Sequence, residues 1–298
     1  MKFSLRRLFK NLKFLMKYDL NEVNEDLKLD VLKSVEDIYR YEILDKEKDD
    51  KEYMLDVLNY DRTIELLLNF PKSFCRFGDA DIEIMMGNNY PYQKYDERLK
   101  NIMLEILEKN DDKLYVGINY NYFHSIANFN DFNRKFYILY ASKYRNFLLK
   151  HCNNERQYIA AGFTQLYTVL VDYNYSDYFK KVKLLFKDKE LVIVAGQGVL
   201  DKLQFDIFEL AKSREYIQAP NLHAFSEFDN LLNAALDFPP DKKTFVFILG
   251  PCAKALVYKL TQKGYIAWDI GHLAKDYDAY MRGIEKNEKN IVEFFRPD

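Results

Sequence analysis

Asp79 and Asp81 stand on either side of one alanine in the stretch RFGDAD, residues 76–81. Two carboxylates at D-x-D spacing in a turn reach one hard divalent cation while leaving it open positions for phosphate oxygens. Magnesium or manganese suits oxygen ligands of this kind. Glu83 follows Asp79 by one helical turn and could join the pair, and Arg76 offers a fork that fits a carboxylate or a diphosphate. Aspartate at a helix start also caps free backbone amides, which is the commoner use of the residue. Spacing alone leaves both uses open.

The elements that must carry these residues follow from hydrophobic periodicity. SFCRF (73–77), KLYVGIN (113–119), ELVIVAG (190–196), EYIQAP (215–220), KTFVFILG (243–250) and YIAWDIG (265–271) read as short strands. Between them DRTIELLLNF (61–70), the segment from Asp81 to Met86, DERLKNIMLEILEKN (96–110), LQFDIFELAK (203–212), FSEFDNLLNAAL (225–236) and CAKALVYKLTQKG (252–264) read as helices. Residues 120–188 are helical and rich in tyrosine and phenylalanine, with AGFTQLY (161–167) as an interruption. Strands that are apolar on both faces and alternate with helices predict an α/β fold, a Rossmann-like and mostly parallel sheet flanked by helices.

In such sheets ligands bind beyond the carboxyl ends of the strands. RFGDAD, GQG (196–198), LGPCAK (249–254) and DIGH (269–272) all fall there. At LGPCAK, the turn at Gly250 and Pro251 opens a helix whose amides and positive end suit a phosphate, with Lys254 adding a charge. The alternative is an ordinary strand-to-helix turn with an exposed lysine. GQG after a buried strand is similar to a dinucleotide fingerprint, but Asp201 holds the third glycine position. A nucleotide-dependent oxidoreductase is the rival reading this raises, and the acids of GDAD disfavour it. His272 is the histidine placed at a strand end; His124, His151 and His223 have no metal-ligand spacing. The tyrosines of the middle region fit a core, though some could line an acceptor groove.

Composition narrows the class. Hydrophobic residues make up 48% and charged residues 30%, which suits a globular chain with a sizeable core. The net charge of -2 leaves no overall footprint for nucleic acid. Three cysteines lie far apart without a CxxC pair, so no disulfide framework or zinc knuckle is expected and a reducing cytoplasm fits. No apolar run is long enough to span a membrane. Residues 1–18 place Leu5, Leu8, Phe9, Leu12, Leu15 and Met16 on one helical face and Arg6, Arg7, Lys10, Lys13 and Lys17 on the other. Such a helix could lie on an anionic membrane, or pack on the domain or a partner. Its cations interrupt any secretory apolar core. Residues 1–60 are therefore expected to form a helical appendage, and 61–298 the α/β domain.

The ordered strand-end motifs resemble the glycosyltransferases of the GT-D fold, of the DUF1792 type. That family carries RFGDGE, GP-x-AK and GY-x-A-x-DIGH, which read here as RFGDAD, GPCAK and GYIAWDIGH. The similarity runs from about Asp61 to Met281. It implies a transferase that takes a sugar from a nucleotide-diphosphate donor, a UDP-sugar foremost, to a glycan, glycoprotein or lipid-linked acceptor on the cytoplasmic side. It further implies a divalent cation, Mn2+ or Mg2+, at Asp79 and Asp81, and a donor pocket including Arg76, Gly78, Asp79, Gly250, Lys254 and His272. Three departures stand out: Asp81 replaces a glutamate, Ala80 a glycine, and Ala274 an aspartate after GH that Asp276 could supply. An inverting route would need a base beside the acceptor hydroxyl, with Asp276, His272 and Asp269 as candidates. The non-enzymatic alternative is a scaffold of the same fold, docked on a membrane or on another glycosyltransferase.

Overall fold

The computed structural model describes residues 54–295; the expected basic helix at 1–18 and most of the charged appendage lie outside the described residues. Seven strands form one sheet: β1 (Ser73–Arg76), β2 (Leu114–Ile118), β3 (Ile159–Ala160), β4 (Glu190–Gly196), β5 (Ser213–Ala219), β6 (Thr244–Ile248) and β7 (Ile266–Asp269). Their order is β3-β2-β1-β7-β6-β4-β5, with every pairing parallel. Buried on both faces, β4 and β6 need their unbroken valine, isoleucine and phenylalanine runs. β5 is the exposed edge, and its polar SREYIQA sequence matches that position.

The helices are α1 (Tyr60–Asn69), α2 (Asp79–Met85), α3 (Glu97–Glu108), α4 (Asp131–His151), α5 (Leu166–Val169), α6 (Tyr175–Phe186), α7 (Phe228–Leu236), α8 (Pro251–Gln262), α9 (Leu273–Met281) and α10 (Glu288–Phe294). Asparagine or aspartate side chains cap the starts of α1, α3, α4 and α6, from Asn59, Asp96, Asn130 and Asn174. α8 has no such cap. Gly250 at φ 52° turns the chain sharply, and Pro251 occupies the first helical turn.

Two expectations need correction. Residues 203–212 form turns instead of a helix. The carboxylate of Asp278 accepts the amides of Gln204 (2.8 Å) and Phe205 (3.0 Å), and Asp206 accepts that of Phe208 (2.8 Å). These side-chain acceptors hold the backbone in a competing geometry, while Ile207 and Phe208 supply the buried contacts. The packed unit also begins before residue 61. Leu55 and Val57 are buried, and the backbone of residues 56–58 is bonded to Tyr158.

β1 and β7 are tied along their length. Ser73 Oγ donates to Tyr265 O (3.2 Å) and accepts from Ala267 N (3.0 Å), while Trp268 Nε1 donates to Lys72 O (2.9 Å). Phe74 stacks on Trp268 with ring centres 5.7 Å apart. From β1 the sheet extends through β2 and β3 on one side and through β7, β6, β4 and β5 on the other. The loops leaving β1 and β7 therefore open a crevice at a topological switch point.

Candidate active site at the carboxyl ends of the strands

Arg76 closes β1 and reaches across this crevice. Its Nε donates to Asp269 O (2.7 Å), one Nη to Asp269 Oδ1 (3.1 Å), and the other to Thr164 Oγ1 (2.6 Å) and Ala161 O (3.2 Å). The guanidinium thus bolts β1, β7 and the turn after β3 together. It also explains the glycine of DIGH. A Cβ at Gly271 would lie 1.9 Å from Arg76 Nη2, and Gly271 has φ 46°, where side chains are strained. The distant RFGDAD and DIGH motifs form one packing unit.

Lys254 lies beneath them on the first turn of α8. Its Nζ is 3.2 Å from Asp81 Oδ1 and 3.2 Å from Asp269 Oδ2, and donates to Gly250 O (3.1 Å). Lys254, Asp81 and Asp269 are all buried. Burial alone would push Asp269 up, yet Arg76 and then Lys254 outweigh it and hold the carboxyl below its usual range. Burial would likewise lower Lys254, but Asp269 and Asp81 outweigh it and hold the ammonium charged. Asp81 is the weaker member, since burial outweighs Lys254 and pushes its carboxyl above the usual range. Two cations and two carboxyl groups thus meet in a dry site, where losing one partner is costly.

The D-x-D pair does not converge. Gly78 is the N-cap of α2, so Asp79 and Asp81 are its first and third residues. At about 100° per residue, positions i and i+2 point to opposite sides of a helix. Asp81 turns inward to Lys254, and its other oxygen accepts from Gly78 N (2.8 Å). Asp79 faces the crevice and accepts from Tyr90 OH (2.5 Å). Glu83 turns away towards α4, held by Lys143 (2.5 Å), Tyr144 OH (2.8 Å) and Asn88 Nδ2 (2.6 Å). Among the described residues no group of three histidine, cysteine, aspartate or glutamate side chains is placed to hold a metal ion. A chelate by both Asp79 and Asp81 therefore does not fit this arrangement; both border the crevice, but the oxygens of Asp81 are committed to Lys254 and Gly78 N.

The three candidate bases are also separated by the fold. Asp276 is fully buried and accepts from Tyr167 N (2.9 Å), Thr168 N (2.9 Å) and Thr168 Oγ1 (2.8 Å), so it caps the start of α5 and does not border the crevice. Burial nevertheless pushes its carboxyl up to about 7. Asp269 is buried and committed to Arg76 and Lys254. His272 does border the crevice. Its ring packs on Phe294 (5.5 Å) and Phe295 (5.6 Å), and burial, followed by the nearby Arg76, holds it down to about 3. It is a neutral imidazole throughout the physiological range. Burial pushes the thiols of Cys75, Cys152 and Cys252 up to about 12, so none is a nucleophile.

The crevice is a cavity of ≈ 380 Å³, the size of a small-molecule site. Arg76, Gly78, Asp79, Asp81, Gly250, Lys254 and His272 border it, together with Lys275. Sequence reasoning missed Thr164 and Tyr90, which anchor Arg76 and Asp79, and the wall made by Phe132 and Phe136. The AGFT interruption in a helical region was the available signal for the first of these. GQG serves another purpose than a dinucleotide fingerprint. A Cβ at Gly196 would lie 2.2 Å from Asn221 Oδ1, whose Nδ2 donates to Gln197 O (3.0 Å), and turns rather than a helix follow β4. The helix start that such a fingerprint needs is missing from that strand.

A parallel α/β sheet with a ligand-sized crevice at its switch point, lined by arginine, lysine and aspartate, has the architecture of a small-molecule site. The chain belongs to the glycosyltransferase GT-D fold family, whose profile matches residues 74–294. It is 29% identical over 249 residues to the probable glycosyl transferase Gly of Streptococcus gordonii, covering 82% of this chain and 36% of that protein. It is 28% identical to the glycosyltransferase GlyD of Streptococcus pneumoniae, covering 81% and 30% respectively. The chain thus spans about a third of the length of these curated relatives. Among solved structures it is similar to a domain of unknown function 1792 described as having a distinct glycosyltransferase fold, with TM-score 0.73 and 30% identity over 83% of this chain and 92% of that one. A DUF1792 glycosyltransferase from Streptococcus sanguinis aligns with TM-score 0.70 and 28% identity over 82% of this chain and 96% of that one.

Proposed function

We propose that this chain transfers a sugar from a nucleotide-diphosphate donor, a UDP-sugar foremost, to a glycan acceptor in the assembly of a bacterial surface glycan or glycoprotein. The observation that carries this reading is the uncapped start of α8 at Gly250 and Pro251, which opens on the same cavity as Arg76 and Lys275. Pro251 carries no N–H and Ala253 N already donates to Gly250 O (3.2 Å), so this turn acts mainly through the positive end of the helix dipole, which suits a diphosphate whose charge grows as it leaves. Lys254 contributes by holding this turn through Gly250 O, its own charge being matched by Asp81 and Asp269. His272, neutral and at the rim, offers one donor and one acceptor to a phosphate or sugar hydroxyl.

Asp79 is the residue that would hold a divalent cation arriving with the donor, since magnesium commonly takes one or two carboxylates plus substrate phosphates. Such a cation would neutralise the leaving diphosphate. The test is to incubate the purified chain with UDP-, GDP-, CMP- and dTDP-sugars, with and without manganese, and to follow donor hydrolysis. Hydrolysis of one donor class that Asp79→Ala abolishes is expected. Absence of hydrolysis and of nucleotide-induced thermal stabilisation across the panel would remove the reading.

The basic amphipathic pattern of residues 1–18 supports peripheral attachment to the inner face of the cell membrane. Deleting residues 1–18 is expected to release the protein from anionic liposomes in a flotation assay while donor hydrolysis persists. Unaltered flotation would sink the membrane role.

A further inference from the structure

The cavity has a second wall whose chemistry differs from its charged floor. Phe132 and Phe136, one turn apart on α4, border it half-buried. The same helical row continues to Tyr140, which is 41% exposed, with its ring centre 5.1 Å from that of Phe136. Residues at i, i+4 and i+8 share one helix face and span about 12 Å of helix axis. A row of flat rings therefore leads from the cavity to solvent. Gln165 borders the same cavity, and its Oε1 is buried with no hydrogen-bond partner among the described residues. Gln165 belongs to the wall that carries the aromatic row, because the segment just after it is stitched to the start of α4. There Asn130 Nδ2 donates to Thr168 O (2.7 Å) and Val169 O (3.0 Å).

We propose that Phe132, Phe136 and Tyr140 form a track for an acceptor carbohydrate that carries sugar units beyond the one that reacts, with Gln165 Oε1 accepting a hydroxyl from the unit nearest the charged floor. The inference rests on the glycosyltransferase reading above and adds where, and in what form, the acceptor binds. The apolar face of a pyranose presents C–H groups of slightly positive character, and the faces of aromatic rings are negative. A buried acceptor atom without a donor is costly, and a sugar hydroxyl supplies that donor. A nucleobase would need one ring platform; this row is longer and runs away from the charges that suit a diphosphate. The opposite end of the cavity, at Gly196, Asn221 and Gly250, offers backbone groups and small residues to the nucleotide.

The test uses the full chain with UDP and manganese on a printed array of monosaccharides and oligosaccharides. A parallel thermal-shift titration with UDP reads the donor end separately. Wild type is expected to retain particular oligosaccharides more strongly than their component monosaccharides. Phe136→Leu, which keeps apolar volume but loses the flat face, and Tyr140→Ala, at an exposed position, should each weaken that retention by about three- to tenfold. Retention of both size classes alike, retention of neither, or variants that bind the array as wild type does would overturn the track. Variants that lose the UDP shift instead would assign the aromatic row to the nucleotide. Failure of the donor reading itself would show separately, as no UDP shift and no donor hydrolysis in wild type.

Discussion

Replacing Gly271 with alanine tests the link between the two motifs at the centre of the site. The added Cβ would lie 1.9 Å from Arg76 Nη2 and 2.9 Å from its Cζ. To restore ordinary contact the guanidinium must withdraw by about 1.5 Å. That movement breaks or lengthens bonds now at 2.7 Å to Asp269 O, 3.1 Å to Asp269 Oδ1 and 2.6 Å to Thr164 Oγ1. Weakening a charged hydrogen-bonded group of this kind costs about 2 kcal/mol. The backbone at φ 46° adds about 1 kcal/mol for any residue with a Cβ. The expected loss is about 3 kcal/mol, or roughly 6–12 °C in the thermal midpoint of a domain this size. Circular dichroism melts of Gly271→Ala, Arg76→Met and the double variant supply the assay. In the Arg76→Met background only the backbone cost should remain, so the cycle should give a coupling of about 2 kcal/mol. A loss below about 1 kcal/mol in the single variant, or equal losses in both backgrounds, would refute the reasoning.

The two aspartates of RFGDAD should separate in their effects. Asp81→Asn leaves Lys254 with one carboxylate and is expected to cost about 2–3 kcal/mol in urea unfolding. Asp79→Asn should change stability by less than about 1 kcal/mol, yet lower donor hydrolysis at least about tenfold. Equal stability losses for the two would contradict their opposite orientations. Asp276→Asn removes one of two oxygen acceptors at the start of α5, and should lower stability by about 2 kcal/mol in a denaturant titration. If it abolished hydrolysis with an unchanged unfolding midpoint, the capping role would be wrong. Burial, with Arg76 second, holds His272 down to about 3. The unfolded imidazole takes its proton near about 6.5, so the contribution of His272 to stability is present above that pH and is lost as pH falls towards 3. His272→Asn should therefore show a smaller drop in thermal midpoint between about pH 7 and pH 4.5 than wild type does. An identical drop would mean that the ring takes up its proton in the fold as readily as in the unfolded chain.

The order of elements was legible because burial leaves a periodic signature. The apolar runs of β4 and β6 could only be covered strands, and the strand ends at Arg76, Ile248 and Asp269 lie within two residues of where the sequence runs stop. That placed the candidate residues at one rim of one sheet. Periodicity failed at 203–212, where helical spacing was overruled by the distant carboxylate of Asp278.

What the sequence determined by itself was therefore composition at the rim: which side chains stand at the carboxyl ends, and that they include paired aspartates, a lysine on a helix start and a histidine. Only the tertiary structure decided which way each one points. Starting α2 at Asp79 instead of Asp81 is a shift of two residues, yet it turns a converging pair into a diverging one, sending Asp79 to the cavity and Asp81 to Lys254. Helix boundaries are set by cap geometry, which periodicity does not resolve. The partners that fix Arg76 and Asp276 lie 193 and 108 residues away along the chain, at Asp269 and Thr168. Contacts at such separations exist only once the sheet is assembled, because crossover helices bring strands together whose sequences carry no record of their neighbours.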